Sequence, residues 1–156
     1  MQLFADLLDA LSYQPARNGK LRLIEDYLRH APDPDRGYAL AALCGELDLP
    51  SLKPAALRDM TMARVDPELF GWSYDYVGDL AETIALIWPS ADTATHVPPR
   101  LNDVIERLRL RGPAGAMMLM AGWPAGLDAA GRWALLKLAA GALRVGVSAR
   151  LAKTAL

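Results

Sequence analysis

Cysteine is nearly absent from this 156-residue chain: Cys44 is the only one. No internal disulfide can form, which fits a reducing compartment. Cys44 ends the apolar run Tyr38-Ala39-Leu40-Ala41-Ala42-Leu43, where a buried, inert thiol is expected rather than a nucleophile. Histidine is scarce too. His30 and His96 lack any paired spacing of zinc-ligand type. His30 falls at an expected helix end, where the dipole favours it, and His96 in a proline-bearing segment reads as an idle surface residue. No apolar run reaches the roughly 20 residues of a membrane span, and the N-terminus lacks the basic stretch of a secretory leader. A soluble, cytoplasmic protein is therefore expected. A phosphate-cradling glycine loop is missing as well, since the one Gly-Lys pair, Gly19-Lys20, is followed by Leu21. There is no Gly-x-Ser-x-Gly nucleophile elbow. The acids nominate no general acid/base pair; Glu25-Asp26 and Asp33/Asp35 read as helix surface and cap.

One further absence is positional. The net charge is only −1, yet no acid follows Asp128. The last 28 residues hold Arg132, Lys137, Arg144, Arg150 and Lys153 and carry +5, while the first 128 carry −6. A nearly neutral total thus conceals a basic C-terminal segment, which is either a solvated face or a polyanion contact.

What the chain has in quantity is helix-forming residues. Strand-type runs of Val, Ile, Thr and Phe are few, and leucines recur at helical spacing, as in Leu3, Leu7, Leu8 and Leu11. Breaks and caps divide it into an all-α, single compact domain of roughly ten helices spanning residues 1–156. Asn18 is placed to cap a helix over 18–30, Asp33-Pro34 to open one that Gly45 stops, and Ser51 to cap one over 52–63. Asp66-Pro67 and Gly78-Asp79 give two further starts. Residues 90–99 read as a surface loop. A helix over 100–111 precedes one begun by Pro113; Asp128 caps a helix expected to reach Leu143, and Ser148 caps the last. The aromatics Trp72, Tyr74, Tyr76 and Trp88 flank apolar helix faces, so core packing is expected of them ahead of base stacking.

Two segments suit backbone phosphate. In Gly141-Ala142-Leu143-Arg144-Val145-Gly146-Val147-Ser148, Gly146 allows close backbone approach, the helix start at Ser148 offers free N–H groups, and Arg144 offers a bidentate fork. Arg17-Asn18-Gly19-Lys20 is a second basic cluster at a helix start. On the residues alone a routine helix connection is the favoured reading of each; the phosphate reading expects the two basic helix starts to come together and track two nearby strands of a duplex. Arg150 and Lys153 extend the basic tract, and nothing resembles a base-reading recognition helix.

The run Gly131-Arg132-Trp133-Ala134-Leu135-Leu136-Lys137-Leu138, continued by Gly141 and Leu143-Arg144-Val145-Gly146-Val147-Ser148, resembles a signature of the N-terminal domain of ATP-dependent DNA ligases. Residues 32–37, 73–83 and 17–21 resemble the bacterial branch of that domain, in the right order. The resemblance implies a non-catalytic helical domain lying against the minor groove of nicked duplex DNA, serving nick sealing in replication, recombination and repair. It carries phosphate contacts onto Gly141, Arg144, Gly146 and Ser148, and onto Arg17, Asn18 and Lys20. Ala142 stands where some relatives have another arginine. The family's adenylylated lysine lies in Lys-x-Asp-Gly-x-Arg, but Lys20, Lys53, Lys137 and Lys153 all lack the following Asp-Gly. The resemblance therefore places the nucleotidyltransferase and oligonucleotide-binding domains, with their ATP and Mg, beyond Leu156, and expects a monomer that has no cofactor of its own and works with those domains in cis. The alternative is a helical protein-interaction domain of α-solenoid type that uses the Trp72–Tyr76 region.

Overall fold

Helix starts and stops written into the chain account for most of the elements. The structure is a computed structural model that describes residues 1–89, 98–122, 126–141 and 143–156. Its helices are α1 (Gln2–Tyr13), α2 (Arg17–His30), α3 (Asp35–Cys44), α4 (Pro54–Met62), α5 (Pro67–Val77), α6 (Leu80–Ile87), α7 (Leu101–Gly122), α8 (Ala129–Ala139) and α9 (Ala149–Thr154). No strand occurs among the described residues. Side-chain caps form where short polar residues precede an apolar run. Asp66 accepts from the N–H groups of Glu68 and Leu69, Asp79 from Glu82, Asp128 from Gly131 and Ser148 from Leu151. Gly45 and Gly78 end α3 and α5 in the left-handed conformation. The expected separation before Pro113 is a sharp break at Gly112 (φ 61°, ψ −171°) inside α7.

The core sits around α8. Ala134, Leu135, Leu136, Leu138 and Ala139 are all buried, so this helix is enclosed on most sides, as apolar residues around its girth require. Helices α1 and α6 pack on it, α2 packs on α1, α5 packs on α6, and α9 packs on α2 and α3. Phe4, Leu8 and Leu11 bury the inner face of α1. No helix among the described residues is long and apolar enough to cross a membrane.

Several expectations need correction. Asn18 does not cap α2; Ala16 occupies that position, and Asn18 stands exposed in the first turn. Ser51 does not cap α4 either. Its hydroxyl donates to the carbonyl of Ala140, closing the C-terminal end of α8, and Pro54 opens α4 after Lys53. Pro34 lies just outside α3, and α8 stops at Ala139 rather than near Leu143. Asp35 is buried, not a surface or local cap. It accepts from the N–H of Asn102 at 3.1 Å and so caps α7 from 67 residues away. Trp72 and Tyr76 are 69% and 92% exposed, against the core role expected of them, whereas Trp88 is buried and Tyr74 stacks on Phe70. Cys44 is half-buried rather than buried, and desolvation followed by the Glu46 charge raises its thiol pKa. The expected loop over 90–99 with His96 falls outside the described residues up to position 97, as does Ala142.

Candidate nucleic-acid interface

The two phosphate-type segments meet. Lys20 lies in the first turn of α2, and its Nζ donates to the carbonyls of Val145 (3.0 Å) and Gly146 (2.9 Å), 125 and 126 residues away. Gly146 suits this geometry in two ways. Its φ is +64°, and a Cβ there would lie 2.6 Å from the Lys20 ammonium. The buried Val145 side chain anchors the turn from below. The starts of α2 and α9 are thereby clasped together, on helices that also pack against each other.

The electrostatics follow from the acceptor type. Carbonyl oxygens carry no net charge, so Lys20 keeps its full positive charge at the junction. Arg17, Arg144 and Arg150 are exposed and have no carboxylate partner among the described residues. Ser148 spends its hydroxyl capping α9, where the first-turn N–H groups lack internal acceptors. Gly19 has a packing role. The Gln14 side chain lies where its Cβ would be, and Gln14 Oε1 accepts from the Ala16 N–H.

Other predicted site residues are committed elsewhere. Lys153 Nζ pairs with Glu46 at 2.6 Å. Gly141 (φ +65°) faces Ser51 at the end of α8, and Lys20 is not among the residues within 4 Å of its Cβ position. Of the remaining C-terminal cations, Lys137 pairs with Asp79 at 2.7 Å, and Arg132 is buried, donating to the carbonyls of Ala85 (3.4 Å) and Trp88 (3.2 Å). The basic C-terminal segment is therefore mostly neutralised or internal, and its exposed, uncompensated charge reduces to Arg144 and Arg150. The N-terminal cluster does join this segment, as the expected union of the two helix starts requires; what the sequence reading missed is the contact that joins them, from Lys20 to the Val145 and Gly146 carbonyls. The only hint was a pair of glycine-exposed carbonyls at Val145-Gly146 with no helix to satisfy them.

The Asp79–Lys137 pair gives a pH prediction. Burial pushes the Asp79 carboxyl up, but hydrogen bonds from Lys137 and from the Glu82 and Ala81 N–H groups outweigh it, and the net shift is downward. A depressed folded-state pKa contributes stability that is present at neutral pH and drains away as the pH falls below about 4. Urea unfolding between pH 7 and 3 should show this loss. Asp79→Asn, which keeps the cap, should flatten part of it.

Comparison with family models and with curated proteins finds no match for this chain.

Proposed function

We propose that this chain is a non-catalytic DNA-binding module of an ATP-dependent DNA ligase, holding nicked duplex through its sugar–phosphate backbone without reading sequence. Catalytic domains, ATP and Mg belong to the rest of such an enzyme in this proposal. The observation that carries the reading is the Lys20 contact with Val145 and Gly146. It joins two helix starts into one cationic site with Arg17, Arg144 and Arg150 around it, and two such starts suit two neighbouring phosphate rails.

The salt dependence is the test. Five cations of the C-terminal tract would give a slope of log K against log salt of roughly −4 to −5. With Arg132, Lys137 and Lys153 engaged internally, three free arginines plus Lys20 give about −3 to −4. Fluorescence anisotropy on a nicked duplex at several salt concentrations measures it. A flat response, or no binding at low salt, contradicts the proposal. Arg144→Ala should weaken binding about three- to tenfold, equally for unrelated sequences, and reduce the slope by about one.

A protein-interaction role is favoured by one observation. Leu69, Trp72 and Tyr76 stand exposed at helical spacing on α5. Trp72→Ala and Tyr76→Ala should leave DNA affinity unchanged if the first reading holds; a loss matching Arg144→Ala would move the DNA contact to α5.

A further inference from the structure

A second surface has the opposite character. Between α1, α6 and α8 lies a groove of about 410 Å³, lined by Asp9, Tyr13, Glu82, Leu86 and Trp133 over a floor of alanines. Tyr13 and Leu86 are 81% and 59% exposed, so large apolar side chains border an open concavity. No Lys, Arg or His among the described residues lines it. The carboxylates of Asp9 and Glu82 have no ion pair among the described residues. Lys137, whose ammonium lies 6.0 Å from the Trp133 ring centroid, is already bound to Asp79.

We infer that this groove docks a basic amphipathic helix from a partner protein. Three features select that occupant. The apolar floor takes aliphatic or aromatic side chains, whose burial supplies the affinity. The unpaired carboxylates select Lys or Arg beside those side chains, and the exposed Tyr13 ring adds a cation–π acceptor. They repel phosphate, so nucleic acid is excluded here. With no strand among the described residues, there is no sheet edge to receive an extended peptide; the geometry is that of a helix laid into a groove between helices. The two faces would let one domain hold DNA and a basic protein segment at once.

The test uses the whole chain, isotope-labelled, with three synthetic peptides: a Leu/Lys amphipathic helix, its Leu/Glu counterpart, and a scramble of the first with the same charge but no apolar face. The Leu/Lys helix should bind, with chemical-shift changes centred on Tyr13, Leu86 and Trp133. Asp9→Asn with Glu82→Gln, both at the surface, should weaken it about five- to tenfold without changing the melting temperature. Leu86→Ser, which removes apolar contact and adds no charge, should weaken it at least as much. The inference is overturned by equal binding of the Leu/Glu or scrambled peptide, by shifts centred elsewhere, or by no binding. Sedimentation showing that a second copy of the chain fills the groove also overturns it.

Discussion

Lys20→Met should loosen the turn at residues 144–148 and weaken DNA binding about tenfold, which is roughly 1.4 kcal/mol. The substitution keeps the apolar stem and removes the ammonium, so two carbonyls, Val145 and Gly146, lose their donor. The expected stability loss is about 1–2 kcal/mol, because charge-assisted hydrogen bonds exceed neutral ones but this site is only half-buried. Gly146→Ala should fail in the same way from the other side. Its Cβ would meet the Lys20 ammonium at 2.6 Å, and the left-handed backbone adds about 1 kcal/mol of strain. Both substitutions break one contact, so the double variant should be little worse than the worse single one. Additive losses in urea unfolding and in anisotropy would show that Lys20 and the turn act independently.

Arg132→Met is expected to have the largest effect on folding, with little direct effect on DNA. The side chain is 6% exposed and reaches from α8 to the carbonyls at the end of α6. Burial lowers its pKa, with Asp128 opposing, yet a guanidinium remains charged at any working pH. Methionine fills comparable volume and satisfies neither carbonyl. A cost of about 2–4 kcal/mol follows, or a melting temperature lower by roughly 5–15 °C for a domain of this size. Calorimetry checks it. An unchanged melting temperature would mean that the α6–α8 contact is held by apolar packing alone.

These two residues also show how far the sequence could be read. Interactions that act within one helical turn were legible, since the physics and the residues share a neighbourhood. Asp66, Asp79, Asp128 and Ser148 cap the helices that follow them and Gly45 ends its own, while Asn18 is the local cap that does not form and Gly78, read only as preceding α6, also ends α5. Pairings across the fold were not. Arg132 and Lys137 look identical to Arg144 in a charge count, but packing of α8 puts one into the core and gives the other a carboxylate 58 residues away. Ser51 and Asp35 have cap-forming chemistry and do close helix ends, though on α8 and α7 rather than on their own. Trp72 and Tyr76 sit beside apolar residues in sequence, yet α5 turns Phe70 inward and leaves them outside. That the two basic helix starts come together was itself an expectation of the DNA-gripping reading; that Lys20 makes the junction, on α2 packed against α9, is encoded in neither segment alone.

The most direct measurement is an amide chemical-shift titration of the labelled chain with a short nicked duplex at low salt. If the clasped helix starts hold DNA, the largest changes fall together at Arg17–Lys20 and Arg144–Arg150, and they recede as salt is raised. Changes confined to other faces, or shifts in only one of these two segments, would contradict a shared grip on the backbone.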